Sequence, residues 1–181
     1  MTTPASLTIR PATPADIPAI AAIYGASVRT GTASFELEPP DETEMGKRMQ
    51  AILGGGFPYL AADCDGRLAG YAYAALYRTR PAYRFTVEDS VYVDPAVQRR
   101  GVGRALLDAL IAACAQRGLR QMIAVIGDSP NQAHSVALHR AAGFAEIGRL
   151  PDVGFKHGHW CDSLLMQRAL GDGGTTDPVD R

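Results

Sequence analysis

The hydrophobic positions of this chain change their period several times, which predicts a succession of helices and strands. Apolar residues spaced by three or four are typical of a helix with one buried face, whereas alternation or a short apolar run is typical of a strand. The segments with a strand pattern are residues 7–10, 59–62, 68–76, 85–93, 121–126, 145–149 and 158–167. The segments with a helical pattern run from Thr13 or Asp16 to near Gly25, and over residues 41–54, 102–118 and 132–142.

This order of elements predicts a mixed α/β fold, with about four helices flanking a central sheet of about seven strands. Residues 121–126 are almost entirely apolar, as is typical of a strand at the centre of a sheet. We expect residues 1–170 to form a single domain, because a chain of 181 residues can bury one sizeable core. The segment 171–181 is rich in Gly, Thr and Asp, and we expect it to be a disordered tail.

Two charged residues interrupt the apolar positions of the strand predicted at 85–93. Glu88 and Asp89 stand between Val87 and Val91, and a charge in the middle of a strand needs a partner or solvent. A β-bulge that turns this strand away from its neighbour is one explanation. The alternative is that both side chains face solvent on a sheet edge.

A basic loop with two glycines joins this strand to the next predicted helix. Gly101 and Gly103 lack side chains, so a phosphate can approach the backbone closely. Arg99 and Arg100 add positive charge and several donors, and the positive end of the helix lies at the same point. The loop therefore suits a diphosphate. It lacks the third glycine of the dinucleotide fingerprint and the Gly-Lys-Ser/Thr of a Walker A loop.

The composition argues against several classes of protein. A net charge of −1 gives no reason to expect nucleic acid or a membrane surface as a partner. We expect no signal peptide and no transmembrane segment, because the N-terminus lacks a basic region followed by an apolar run. Cys64, Cys114 and Cys161 show no metal-binding spacing and no full disulfide set, which favours a reducing cytoplasm. His157 and His159 have no third ligand at a suitable spacing, so we expect no metal.

The glycine-containing loop resembles the acyl-CoA loop of the GNAT family of N-acetyltransferases, whose pattern is Gln/Arg-x-x-Gly-x-Gly/Ala after a strand. The residues that match this pattern are Gln98, Arg99, Arg100, Gly101, Val102 and Gly103. The order of elements over residues 7–168 also matches that family. The resemblance implies acetyl-CoA as co-substrate. It also implies a sheet that is splayed between its fourth and fifth strands, where the pantetheine arm hydrogen-bonds like an extra strand.

The same resemblance assigns roles to individual residues of the cofactor site. Those that would contact the pantetheine arm are Val91, Tyr92 and Val93. Residues 98–103 would bind the pyrophosphate. The family places an asparagine ahead of the next helix, which implies that Asn131 contacts the cofactor. Because the spacing from Asn131 to Ser135 is one residue longer than usual, either the loop bulges or Gln132 takes this role. Ser135 either reaches a phosphate or caps the helix.

Three segments resemble the branch of the family that acetylates phosphinothricin and methionine sulfoximine or sulfone. They are the strand around Glu88, the Leu138–His139 pair and the hairpin from Gly154 to Asp162. In that branch the glutamate that matches Glu88 is taken as the base. His139 stands where many family members have a tyrosine acid, so either His139 serves as the acid or it packs and hydrogen-bonds. The hairpin of that branch lies near the substrate mouth and the dimer contact, which implies a homodimer.

A segment rich in arginine and tyrosine, residues 77–84, suits a small zwitterion as substrate. A guanidinium group pairs with a carboxylate or phosphinate through two hydrogen bonds. Tyrosine rings can pack along the carbon chain of the substrate. The resemblance adds residues 32–36 to the same pocket. The predicted substrate-binding residues are Phe35, Arg78, Thr79, Arg80, Tyr83, Glu88, Asp89 and Ser90.

We therefore expect a cytoplasmic enzyme that transfers acetyl from acetyl-CoA to the α-amine of a small amino-acid-like substrate. Transfer is expected to be direct, because no cysteine is well placed to form an acyl-enzyme. A peptide N-terminal acetyltransferase of the same fold is one alternative, and the arginine-rich segment argues against it. The second alternative is a sensor that binds acyl-CoA without turnover. Glu88 argues against it, because a sensor needs no catalytic base.

Overall fold

The computed structural model describes residues 6–179. The seven strands are Leu7–Pro11 (β1), Tyr59–Cys64 (β2), Arg67–Leu76 (β3), Thr86–Val93 (β4), Gln121–Gly127 (β5), Ala145–Lys156 (β6) and His159–Ala169 (β7). The four α-helices are Ile17–Thr30 (α1), Glu42–Gly54 (α2), Val102–Gln116 (α3) and Ala133–Ala141 (α4). Most of the N-terminal segment in which we expect no signal peptide lies outside the described residues. Within those residues, no helix has the length and apolar character needed to cross a membrane.

The strands form one mixed sheet in the order β1-β2-β3-β4-β5-β7-β6. All neighbouring strands are antiparallel except β4 and β5, which are parallel and pair over only three residues, from Thr86 opposite Gln121 to Glu88 opposite Ile123. Beyond this point β4 continues to pair with β3 and β5 with β7. The sheet is therefore open between its fourth and fifth strands, and the predicted fold class is confirmed.

Two apolar clusters cover the two faces of the sheet. On one face, Leu106, Leu107 and Leu110 of α3 pack with Met122 and Met166 of the central strands. The cluster on the other face is built by α1, α2 and tyrosines of the strands, and its buried members include Ile20, Val28, Tyr71 and Met49. Both clusters follow from the spacing of apolar residues on the helices, since a stripe at intervals of three or four faces the sheet.

The last hairpin differs most from the sequence expectation. A strand was expected only over residues 145–149, but β6 extends to Lys156. The shorter prediction is wrong because Pro151 and Asp152, which are typical of a turn, are accommodated by a shift of register between Leu150 and Gly154. The true turn lies at His157 and Gly158, whose φ angles are 51° and 81°.

The C-terminal segment packs against the start of β5. Residues 171–176 form turns and bends, and the Arg120 guanidinium donates to the Gly173 and Asp177 backbone oxygens and to Thr176 Oγ1. Residues 180 and 181 of the expected tail lie outside the described residues. The domain limits of 1–170 and 171–181 stay a prediction.

Candidate active site

A cavity of about 290 Å³ lies where β4 and β5 separate. Past their three paired residues the two strands diverge, so both faces of the sheet contribute to one cavity. Ser34 and Phe35, which precede α2, line it on one side. Ser135 and His139 of α4 line it on the other. A molecule bound in this cavity can therefore contact groups from both faces.

Glu88 lies where the gap begins, and it lines the cavity. Side chains alternate along a strand, so Glu88 and Ser90 share the face on which Tyr92 packs against the α1 and α2 cluster. The Glu88 side chain is partly buried. Burial, together with the charge of Asp89, raises the pKa of the Glu88 carboxyl above its usual value. A carboxylate with a raised pKa is the stronger base, which suits Glu88 to accept a proton from an ammonium group.

Asp89 points to the opposite face, where it binds His139. Asp89 Oδ2 lies 3.0 Å from His139 Nε2, and both side chains are buried. His139 Nδ1 lies 2.8 Å from the Ser135 backbone oxygen. Both ring nitrogens thus face oxygen acceptors, which a doubly protonated imidazolium satisfies. Burial lowers the pKa of His139, but the hydrogen bond to Asp89 and its negative charge outweigh burial and hold that pKa above its usual value.

The Asp89–His139 pair explains the charge in the middle of β4. The β3–β4 ladder runs from Gly70 to Leu76 without a shift of register, so the bulge offered as an explanation is absent from this ladder. The alternative that both side chains face solvent is wrong for Asp89, because α4 supplies the buried partner that this carboxylate needs. Asp89 also lines the cavity, and its Oδ1 has no hydrogen-bond partner among residues 6–179. This oxygen is able to accept a hydrogen bond from a bound molecule.

The predicted cofactor loop lies between β4 and α3. Arg99 and Gly101 have positive φ angles of 61° and 83°, which turn the chain into α3. The first N–H groups of a helix have no partner within it, and they carry the positive end of its dipole. Gly103 lies between β4 and α4, since a Cβ on it would be 3.5 Å from both Val93 and Leu138. The start of α3 therefore lies on the same face of the sheet as His139.

The residues around the start of α4 divide into two groups. Gln132 and Ser135 line the cavity. Asn131 is exposed and is not among the lining residues, and its Nδ2 donates to the Asp128 carboxylate at 2.9 Å. Of the two alternatives for the cofactor contact, this geometry favours Gln132. Ser135 is the third residue of α4, and among the described residues no side chain caps this helix. The geometry therefore supports a role for Ser135 in the cavity.

The loop of residues 31–36 is held over the cavity by contacts from β5, β6 and α1. Thr32 Oγ1 donates to Asp128 Oδ2 at 2.6 Å. The buried Lys156 Nζ donates to the Ser34 backbone oxygen at 2.7 Å, and burial lowers the pKa of this amine. These contacts join residues about a hundred positions apart in the chain, so sequence analysis did not find them.

The Phe35 ring fits against two glycines of the sheet. A Cβ on Gly127 would lie 2.7 Å from the ring, and a Cβ on Gly154 would overlap it. The Tyr24 hydroxyl lies 2.9 Å from both Ser34 Oγ and Glu36 Oε1. Phe35 therefore forms a wall of the cavity, and its contact with substrate stays a prediction.

The structure does not bring the arginine-rich segment into the cavity. Arg78, Thr79, Arg80 and Tyr83 are exposed and are absent from the residues that line it. The Arg78 guanidinium lies 5.1 Å from the centre of the Tyr77 ring, and that ring packs edge to face against Tyr83. The substrate-binding role of this segment stays a prediction.

Sequence analysis also missed Tyr73, which lines the cavity from β3. Tyr73 pairs with Ser90 across the ladder. Burial raises the pKa of the Tyr73 hydroxyl, so this group stays protonated at neutral pH and can donate a hydrogen bond. Tyrosines at alternating positions, Tyr71 and Tyr73, were the signal in the sequence that one face of β3 is aromatic.

The cavity thus combines a base, an open strand edge and a helix N-terminus. Glu88 can accept a proton, β4 beyond Glu88 has no strand partner on its β5 side, and the start of α3 lies on the adjoining face. None of Cys64, Cys114 and Cys161 is among the residues that line the cavity. This arrangement suits the transfer of a group between two bound molecules without a covalent enzyme intermediate.

Comparison with known proteins agrees with this geometry. The sequence pattern of the Acetyltransferase (GNAT) family matches residues 21–144, and the chain belongs to this family. It is 56% identical over 171 residues to a phosphinothricin N-acetyltransferase of Alcaligenes faecalis, which covers 94% of this chain and 86% of that protein. It is 40% identical over 166 residues to an L-methionine sulfoximine/L-methionine sulfone acetyltransferase of Pseudomonas aeruginosa, covering 91% of this chain and 95% of that protein.

The fold is also close to that of a solved relative. The crystal structure of a GNAT superfamily phosphinothricin acetyltransferase from Sinorhizobium meliloti in complex with AcCoA superposes with a TM-score of 0.93. The two chains are 48% identical, and the match covers 96% of this chain and 94% of the relative. The predicted family and enzyme class are therefore confirmed: the protein is an acetyltransferase.

Proposed function

We propose that this protein transfers the acetyl group of acetyl-CoA to the α-amine of a small amino-acid-like substrate. Phosphinothricin, methionine sulfoximine and methionine sulfone are the substrates that the names of its relatives support. The observation that carries the proposal is the position of Glu88, a partly buried carboxylate at the edge of the gap between β4 and β5. A cofactor held along β4 would present its acetyl group at this gap.

In this mechanism Glu88 removes a proton from the substrate ammonium, directly or through a water molecule, because only the neutral amine is a nucleophile. A backbone N–H near Val91 donates to the thioester oxygen as negative charge develops on it. His139 was expected to protonate the leaving thiolate or to hydrogen-bond. Because both of its ring nitrogens are engaged by Asp89 and Ser135, the geometry supports a positioning role for His139.

We propose that Phe35, Tyr73, Glu88 and Ser90, which all line the cavity, form its substrate side. We propose that Arg78 or Arg80 binds the anionic group of the substrate from a position outside this cavity. Their positive charge and their exposure to solvent support the proposal. A site that pairs a carboxylate favours a free amino acid over the N-terminus of a peptide.

We also propose a cytoplasmic homodimer. The free cysteines are consistent with a reducing compartment. Large apolar side chains are exposed on the edge strand β6 and at the start of β7, and they include Phe155 at 58% and Trp160 at 63% exposure. A second copy of the chain is the occupant that this surface fits, because a closed pair would cover the apolar residues of both copies.

A substrate panel tests the proposed reaction. The purified protein is incubated with acetyl-CoA and either phosphinothricin, methionine sulfoximine, methionine sulfone, their carboxamides or a peptide with a free N-terminus, and acetylated products are measured by mass spectrometry. We expect the free amino acids to be acetylated fastest and the carboxamides at least tenfold more slowly. Faster acetylation of the peptide would favour the peptide acetyltransferase. Binding of acetyl-CoA without any product would favour the sensor.

A further inference from the structure

Three potential metal ligands meet beside the active-site cavity, at a place that sequence spacing did not reveal. His159 and Cys161 are two residues apart on β7 and so share one face. Asp128 follows β5, and its N–H donates to the Asp162 backbone oxygen at 2.8 Å, which places it beside β7. One ligand atom from each of the three side chains lies within 4.8 Å of the others. The fold thus supplies His159 with the partners that its own segment lacks.

The donor set selects a class of cation. A thiolate, an imidazole nitrogen and a carboxylate oxygen together favour Zn²⁺ or Co²⁺ over the oxygen-preferring Mg²⁺ and Ca²⁺. In a tetrahedral zinc site neighbouring ligand atoms lie about 3.3–3.7 Å apart. His159 Nε2 and Asp128 Oδ2 are already 3.5 Å apart. Cys161 is buried, whereas His159 is partly exposed and faces solvent, so a cation can reach the site from the His159 side.

The cluster is also connected to the active-site cavity. Asp128 Oδ2, which lies nearest to His159, is the oxygen that accepts the hydrogen bond from Thr32. Thr32 belongs to the 31–36 loop, which carries the cavity wall formed by Phe35. A cation on this oxygen would compete with the Thr32 hydroxyl for its lone pairs and weaken the attachment of the loop.

We propose that Asp128, His159 and Cys161 form a binding site for Zn²⁺ or a similar transition-metal cation, and that its occupation releases the 31–36 loop and inhibits the enzyme. As the metal–sulfur bond forms, the thiol proton leaves to solvent. The nearby Lys156 ammonium opposes a cation, but the thiolate and the carboxylate together carry more negative charge than it compensates. Inhibition rests on the proposed acetyl transfer, whereas metal binding and loop release do not.

Binding is tested on the metal-free full-length chain with Co²⁺, whose bond to a thiolate produces a charge-transfer absorption band. The protein contains one tryptophan, Trp160 between two of the ligands, and its emission gives a second readout. We expect the band and a change of emission in the wild type, loss of the band in Cys161→Ser, and at least tenfold weaker binding in His159→Gln. His157→Gln and Cys114→Ser are matched controls that should bind as the wild type does. Absence of the band in the wild type, or its persistence in Cys161→Ser, would overturn the site.

Loop release is tested by hydrogen exchange of residues 31–36 with and without Zn²⁺. We expect at least tenfold faster exchange with Zn²⁺ in the wild type and no change in His159→Gln. Equal exchange with and without Zn²⁺ in the wild type would overturn the coupling. Inhibition is measured as loss of acetylated product, and we expect His159→Gln to resist it. If no substrate is acetylated even without metal, the proposed function fails, while the Co²⁺ and exchange measurements still decide the site and its coupling.

Discussion

Glu88 and Asp89 are neighbours in the chain but occupy different chemical environments. Alternation along β4 directs Glu88 to the cavity side and Asp89 to His139. The sequence marks both as unusual, because charges interrupt an apolar strand. It does not reveal which one has a buried partner, since His139 lies fifty residues further along. Candidate residues are therefore predictable from local pattern, whereas their separate roles depend on long-range contacts.

Replacing Glu88 by Gln should lower kcat for amino-acid acetylation by about 10²–10⁴, the usual range for removal of a general base. An α-ammonium has a pKa of about 8, so the loss should shrink as pH rises and the amine deprotonates without help. The wild-type rate should rise with pH through the raised pKa of Glu88. Steady-state rates between pH 6 and about 9.5 check this, with exposed Glu146→Gln as the control. A wild-type rate in Glu88→Gln at pH 7 would remove Glu88 from the mechanism.

Replacing Asp89 by Asn should destabilise the fold in a pH-dependent way. Because the pKa of His139 is raised in the folded state, the pair contributes its full stability below the unfolded histidine pKa of about 6.5 and loses it as pH rises through the raised value. Breaking a buried pair costs about 3–5 kcal/mol, so the loss should be large at pH 5.5 and smaller at pH 9. Urea denaturation at both pH values measures it. Exposed Asp108→Asn is the control. An equal loss at both pH values would contradict an ionic pair.

At the scale of elements, the strands and helices were largely predictable, because periodicity is a local property. The hairpin of β6 and β7 was not, since the turn-forming Pro151 and Asp152 lie within β6, where the pairing with β7 shifts register between Leu150 and Gly154. The 31–36 loop was predicted only as a loop near substrate. Its fixed position depends on Thr32 contacting Asp128 and Lys156 contacting Ser34, which no local pattern encodes.

A methyl group on Gly127 should displace this loop. In Gly127→Ala the new Cβ would lie 2.7 Å from the Phe35 ring and 2.9 Å from the Thr32 backbone oxygen, so the loop must move. We expect KM for the amino-acid substrate to rise about tenfold, KM for acetyl-CoA to stay within about twofold, and stability to fall by about 1–3 kcal/mol. Gly148→Ala on β6 is the control, because within residues 6–179 no heavy atom beyond its chain neighbours lies within 4 Å of its Cβ position. An unchanged KM for the amino acid would show that the loop does not shape the substrate site.

The cofactor loop allows a separate test of the opposite face. Gly103→Glu places bulk and negative charge between β4 and α4, where the pyrophosphate is expected, and should abolish acetyl-CoA binding measured by calorimetry. Gly46→Glu on α2 should bind acetyl-CoA normally. Apart from the chain neighbours and the helix's own backbone, no heavy atom of the described residues lies within 4 Å of its Cβ position. Thermal unfolding of both variants checks that the fold persists. Unchanged affinity in Gly103→Glu would exclude this loop from the cofactor site.

At the scale of the whole molecule, the gap between β4 and β5 determines where the cavity lies. It exists because the parallel pairing ends at Glu88 and Ile123, after which each strand keeps only its other neighbour. The resemblance to known acetyltransferases predicted this gap, whereas periodicity alone did not, because strand order and register are set by long-range packing. Periodicity alone also did not predict the apolar surface on the last hairpin. Its residues alternate in a pattern that is equally typical of a buried strand.

That surface makes the oligomeric state testable. If the exposed aromatic pair of Phe155 and Trp160, whose rings are 5.2 Å apart, packs against a second copy, a charge placed there should separate the copies. We expect the wild type to sediment with twice the mass of one chain and both Phe155→Glu and Trp160→Glu to sediment as monomers at the same concentration. Leu53→Glu, at an exposed apolar position of α2, should sediment as the wild type does. A wild type that sediments as a monomer, or variants that remain dimeric, would show that this surface has another purpose.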